Sequence, residues 1–241
     1  MSALTLTAEI PMTETKSPKK TMQQRVYHEL RHSLMVGAFA PGQTVSLRKL
    51  AESLQTSLMP VREAVNRLVA ERAFEMLPNR TVIIPNPDAE KLAELMRWRR
   101  ILEGAAAEEA CTNIDARKIK ELESINKKLL RAVKDNELQL VLLRNQEFHF
   151  KIYEASGNTI LLPMIESLWL QSGPFMYYSL AAPQLVWNAV HHVTAMDALR
   201  EKQPKKVKKA IQEDIQAAAD FLLKSHLFNK ASPRPISAAS S

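Results

Sequence analysis

The chain has 241 residues, with 33 Lys plus Arg against 26 Asp plus Glu and a formal charge of +7. Hydrophobic residues make up 46% and charged residues 24%, the balance of a globular protein of one or two domains and not of a disordered or fibrous one. Five glycines occur, none in a G-x-G-x-x-G or G-x-x-x-x-G-K pattern, which argues against kinases, P-loop NTPases and Rossmann dehydrogenases. The lone Cys111 cannot form an internal disulfide, and Glu9 and Glu14 break up any secretory signal. No window reaches the roughly 18 uncharged apolar residues of a spanning helix, so the expected location is cytoplasmic, with no membrane partner.

Residues 1–20 lack sustained periodicity and read as a flexible arm. Over residues 21–85, Val26, Leu30 and Leu34 recur at helical spacing up to Gly37, and a connector, GAFAPGQTV, follows. Ser46 is placed to cap a short helix through Leu54, and Ser57 to cap the next, with Pro60 tolerated in its opening turn. The β-prone run 81–84 follows a Pro78-Asn79-Arg80 turn, giving three helices and a small hairpin. Two prolines at 85–88 mark a junction. Residues 86–228 read as six helices with short connections, the last three near 159–180, 184–201 and 204–226, and 229–241 as a flexible tail. The expected fold is mainly α: a winged helix-turn-helix followed by an all-helical antiparallel bundle.

Two short helices with a tight turn suit the major groove, where the second, carrying Arg62 and Arg67, would present its N-terminal end to base edges. A hairpin tipped by Arg80 would serve as the wing. Residues 21–85 hold Arg25, Arg31, Arg48, Lys49, Arg62, Arg67, Arg72 and Arg80 against five Glu, net +3, which is supportive but equally compatible with a small structural bundle. The string VYHELRHSLMVGAFAPGQTVSLRKLAESLQTSLMPVREAVNRLVAERAFEMLPNRTVIIP resembles the winged helix-turn-helix of the GntR family of bacterial transcription regulators. Its G-x-x-x-P-G connector, L-A-E-x-L helix, P-V-R-E-A helix start and P-N-R wing stand in order. The resemblance implies operator contacts by Arg48, Ser57, Arg62, Asn79 and Arg80. It departs at Leu58, where the family has Arg, and at Thr81, where it has Gly; Leu58 and Met59 could instead meet a thymine methyl.

In the bundle, Leu138, Leu142, Asn145, His149 and Ile152 share one stripe, so two polar side chains sit in a core-facing position and require partners. His192 shares a face with Ala189, Met196 and Leu199, and Asp214 lies beside Ile211, Ile215 and Ala218. Together they could ligate a divalent metal, or be ordinary hydrogen-bonded core residues. His191, at a different helical angle, is expected outside the set. Residues 89–227 look like the FCD ligand-binding domain of the FadR subfamily, in the form of the VanR branch, on RWRRILEGAAAEEA, RNQEFHFKIYEASGN and HHVTAMDAL. The family's metal pattern of Asp, His, His, His reads here Asn145, His149, His192 and Asp214, and implies zinc first, with nickel or manganese as alternatives. Arg99 matches the position that pairs with an effector carboxylate; otherwise it is a surface Arg.

The expected function is a ligand-responsive repressor, a homodimer on a palindromic operator, released by a small carboxylate metabolite held near the metal. Its rivals are a metal-dependent helical hydrolase or lyase using His149, His192 and Asp214, and a protein-binding adaptor that has lost DNA affinity.

Overall fold

A computed structural model describes residues 21–86, 88–181, 187 and 189–224. The expected arm at 1–20, the tail at 229–241 and the helix break at Pro183 lie outside the described residues. Among the described residues there are nine α-helices, one short 3-10 turn and three two-residue strands.

Helix α1 (Met22–Met35) opens on a capping box, in which Thr21 Oγ1 accepts from Gln24 N at 3.3 Å and Gln24 Oε1 accepts from Thr21 N at 3.1 Å. It ends where Gly37 turns with φ +65°. Strand β1 (Thr44–Val45) leads to α2 (Leu47–Ser53), whose Ser46 hydroxyl accepts from Lys49 N as expected. Helix α3 (Leu58–Ala70) follows, then β2 (Glu75–Met76) and β3 (Val82–Ile83). Ser57 occupies the cap position of α3 but its side chain makes no capping bond, contrary to expectation; a backbone bond from Thr56 N to Ala51 O at 2.9 Å ties the preceding turn instead. The predicted hairpin gains a third strand. The antiparallel order is β1-β3-β2, with Thr44 opposite Ile83 and Met76 opposite Val82. Val26, Leu30, Leu34, Val61, Leu68 and Ile84, all fully buried, form the core of this part.

The bundle begins at Asp88, whose carboxylate accepts from Lys91 N at 2.8 Å and starts α4 (Ala89–Asn113). Asp115 caps α5 (Ala116–Lys134) in the same way at 2.7 Å. Then come α6 (Leu138–Ala155), α7 (Leu161–Met176), the 3-10 turn Tyr177–Ala181, α8 (Val190–Arg200) and α9 (Pro204–Lys224). Helix α8 begins directly after Ala189, which adopts φ +58°; the expected start near 184 lies outside the described residues. Long α4 lies against α6, α7 and α9, while α8 packs on α5 and α9. On α5 the sequence pattern puts Ile125 in the core, but Asn126 takes the buried place and Ile125 only packs at its edge. No described helix is long and apolar enough to cross a membrane.

The two parts meet where α1 crosses α7. A Cβ added at Gly173 would stand 2.3 Å from Leu34 O and 2.9 Å from Met35 Cα, so only glycine permits the approach. Gly173→Ala is therefore expected to destabilise the fold by about 1–3 kcal/mol in denaturant unfolding. An unchanged midpoint would mean that the helices can part without loss.

Candidate DNA-reading face and buried ligand centre

The five residues expected at DNA are all exposed: Arg48 on α2, Ser57 and Arg62 at the opening of α3, and Asn79 and Arg80 between β2 and β3. Among the described residues Arg48, Arg62 and Arg80 form no ion pair, whereas the other helix arginines are engaged. Arg25 pairs with Glu29 and donates to Leu54 O, and Arg31 lies between Glu71 and Glu166. Arg67, expected beside Arg62 on the reading helix, is held by Glu71 at 3.1 Å and stacks 3.6 Å over the Tyr27 ring. At the wing, Asn79 Oδ1 accepts from Thr81 N at 3.0 Å and Arg80 adopts φ +64°, so the left-handed residue is Arg80 and Thr81 needs no glycine-like conformation. Leu58 and Met59 are exposed, Met59 by 63%.

Inside the bundle, the polar residues of three helices converge. His149 and His192 are buried and Asp214 is half-buried. Asp214 Oδ2 lies 3.1 Å from His149 Nε2, and Oδ1 lies 3.8 Å from His192 Nε2. One ligand atom from each of the three falls within 4.8 Å of the others. Asn145, one helical turn before His149, is buried with Oδ1 lacking a hydrogen-bond partner. His191 stays outside, 3.9 Å from Glu213.

The far side of each imidazole is fixed. His192 Nδ1 is 3.0 Å from Asn126 Oδ1, and its ring stacks on Phe148 with centroids 3.9 Å apart. His149 Nδ1 is 2.9 Å from the Tyr153 hydroxyl, which donates to Glu103 Oε2 at 2.5 Å. Burial, with the charge of Glu103 beside it, pushes the Tyr153 phenol well up, so its proton stays. Glu103, in turn, receives Arg99 Nε at 2.6 Å and Nη2 at 3.4 Å. Tyr153 has a single proton and directs it to Glu103, so its oxygen must accept from His149 Nδ1–H. In the neutral ring Nε2 then carries a bare lone pair facing a carboxylate, and two acceptors at 3.1 Å require a proton or a cation between them.

His192 is the more clearly defined of the two rings. Burial lowers its pKa to about 4, so it is a neutral imidazole at neutral pH. Burial alone would raise the Asp214 carboxyl, but the His192 and His149 rings outweigh it and hold it down at about 2. Two imidazoles, one carboxylate and an orphaned amide oxygen are the donor types and forms that zinc or a similar divalent ion takes, so the residues fit such an ion.

Arg99 is not the surface residue of the bland alternative. It is 3% exposed, its guanidinium lies 4.1 Å over the Trp169 ring, and Nη1 points to Ser172 Oγ at 3.3 Å and Met96 Sδ at 3.9 Å. Glu103, Tyr153 and Asn126 were missed from the sequence. The signals existed: Glu103 stands four after Arg99, Tyr153 four after His149, and Asn126 interrupts the Leu122, Leu129, Val133 stripe.

A winged helix-turn-helix with free arginines, joined to a helical domain with a buried polar centre, defines a DNA-binding regulator with a sensing domain. Residues 22–84 match the family of bacterial regulatory proteins named gntR, and residues 94–217 match the FCD domain. The chain is 30% identical over 195 residues to the HTH-type transcriptional regulator McbR of Escherichia coli K12, covering 80% of this chain and 88% of McbR. It is also 30% identical over 132 residues to the Nta operon transcriptional regulator of Aminobacter aminovorans, 54% of this chain and 61% of that one. The solved structure of E. coli McbR/YncC superposes with a TM-score of 0.78 at 29% identity, over 85% of this chain and 98% of that one. The chain belongs to the GntR family of bacterial transcriptional regulators, with an FCD domain. Its family and relatives are regulators, not enzymes, which sets the hydrolase or lyase reading aside.

The buried chain from Arg99 to His149 has a stability consequence. Glu103→Ala strands the Arg99 guanidinium without its carboxylate and is expected to cost about 3–5 kcal/mol. Tyr153→Phe, which removes one hydroxyl, is expected to cost about 1–3 kcal/mol, and denaturant midpoints of the two variants check the order.

Proposed function

We propose that the protein is a ligand-responsive repressor that binds a palindromic operator as a cytoplasmic homodimer and is released by a small carboxylate metabolite held near a divalent metal. The observation that carries the sensing half is the convergence of His149 Nε2, His192 Nε2 and the Asp214 carboxylate within 4.8 Å of one another, with Asn145 Oδ1 left without a partner. Zinc is the proposed ion, with nickel or manganese as the alternatives the same donors accept. A bound divalent ion would supply a fixed positive charge that attracts a carboxylate. Arg99 would meet that carboxylate through the Nη1 edge, since Glu103 already holds Nε and Nη2. The repressor sign rests on the resemblance to the family, and the dimer on the match between operator symmetry and protein symmetry.

For DNA, the proposed contacts are Arg48, Ser57, Arg62, Asn79 and Arg80, supported by their exposure and by the absence of competing ion pairs on the three arginines among the described residues. The exposed Leu58 and Met59 would add apolar contact to a thymine methyl in place of the family's arginine. A protein-binding adaptor would not need free cations on the groove-facing elements, and salt-dependent, sequence-selective binding to the protein's own promoter region would exclude it.

Arg62→Ala is expected to abolish specific operator binding in a gel-shift assay while the dimer stays intact by light scattering; unchanged operator affinity would overturn the DNA assignment. Purified wild-type protein is expected to carry about one divalent ion per protomer, and His149→Ala combined with His192→Ala to lose it in elemental analysis. Wild-type protein without stoichiometric metal, after loading with zinc, nickel or manganese, would remove the metal from the proposal.

A further inference from the structure

Besides the packing at Gly173, among the described residues one half-buried guanidinium makes an ion pair between the winged domain and the bundle. Arg31, on α1, places Nη1 2.9 Å from Glu166 Oε2 on α7 and Nε 3.8 Å from Glu71 Oε2. Glu71 is the residue that closes α3. Its other oxygen receives the Tyr27 hydroxyl at 2.6 Å and Arg67 Nε at 3.1 Å, so the end of the reading helix is gathered onto one carboxylate. Glu166 stands two turns before Gly173, on the side of α7 where Leu34 and Met35 press against the helix. On the adjacent side of α7, Trp169 lies under Arg99, 5.6 Å from the His149 ring, and Ser172 meets Arg99.

Beside the Arg31 tie, apolar packing gives way to space. A cleft of about 690 Å³ opens between α1 and α6, lined by His28, His32, Met35, Phe150 and Lys151 together with Arg31 and Glu166. An ion pair next to such a cleft can exchange partners without tearing a packed core, unlike the glycine contact two turns further along.

We infer that Arg31 is a positioning residue for DNA reading: hydrogen-bonded to Glu166 of the bundle and facing Glu71 at the end of α3 by charge alone, at 3.8 Å, it sets where the reading helix stands relative to α7. This rests on α3 being the reading helix. Arg31 touches no base; it acts through Glu71. A lysine in its place brings one point charge and cannot serve both carboxylates in the same way.

The test uses the full chain and substitutions on both sides of the joint. Glu166→Gln lies outside the winged domain, so faster amide hydrogen exchange across residues 58–71, with α2 and β3 unchanged, is the expected result. Unchanged exchange over 58–71 would overturn the inference. Binding to the DNA fragment upstream of the protein's own gene is expected to weaken about two- to five-fold for Glu166→Gln and for Arg31→Gln, with the double variant no weaker than the worse single. Strictly additive losses would mean the two residues act separately and would also overturn it. Arg31→Lys is expected to recover only part of the affinity; full recovery would reduce Arg31 to a general positive charge and count against the clamp. Should Arg31→Gln fail to fold, Glu166→Gln carries the test alone. If Arg62→Ala leaves DNA binding intact, α3 is not the reading helix, and the exchange measurement still decides whether Glu166 holds it.

Discussion

The buried ion pair between Arg99 and Glu103 is the constraint from which the buried polar centre follows. A guanidinium and a carboxylate removed from water are tolerated only when further hydrogen bonds satisfy their remaining donors and acceptors. Here those bonds come from Ser172 on one side and Tyr153 on the other. Because Tyr153 must donate to Glu103, it can only accept from His149, and the direction of one proton passes along three residues to the far nitrogen of the imidazole. The result is that Nε2, the other ring nitrogen, is the one left to face Asp214 at 3.1 Å, an arrangement that a wholly apolar core would never produce. The pair therefore does more for the chemistry of the centre than for the stability of the bundle, where hydrophobic side chains of similar volume would serve as well.

Much of this was legible in the sequence, and for a definite reason. Asn145, His149 and His192 each interrupt an apolar stripe, and Asp214 adjoins one; helical periodicity alone places them near the core, where the structure finds them. Their partners were harder. Glu103 and Asn126 lie on α4 and α5, so their contacts with Tyr153 and His192 span 50 and 66 residues, and spacing along one helix carries no information about which helices meet. The burial of Arg99 was hidden by its setting, a run of three arginines that reads as a charged surface, although only Arg99 of that run turns into the core. Strand β1 escaped because two residues are too short to show an alternation. The free hydroxyl of Ser57 shows the limit of capping rules: the residue type and backbone are those of a cap, yet the bond is not made.

The winged domain shows a sorting of its cations that net charge conceals. An excess of three positive charges over residues 21–85 is modest, but the arginines are divided by task. Those on α1 and the far end of α3 are neutralised against Glu29, Glu71 and Glu166, while those on α2, the start of α3 and the wing keep their charge toward solvent. The exposed positive charge therefore gathers on α2, the start of α3 and the wing, where it is stronger than the sum over the domain suggests.

An effector can alter the placement of a surface helix only by binding one geometry better than another. Helix α7 is the element common to both ends: Trp169 and Ser172 face the arginine of the buried centre, while Glu166 and Gly173 face α1. The two contacts on α1 differ in kind. At Gly173 the backbones stand so close that no side-chain atom fits between them, whereas at Glu166 the contact is an ion pair beside an open cleft. One helix pair thus carries a contact that admits no added atom and an ion pair that reaches Glu71 at the end of α3, so the two parts are joined by packing at one point and by charge at the other.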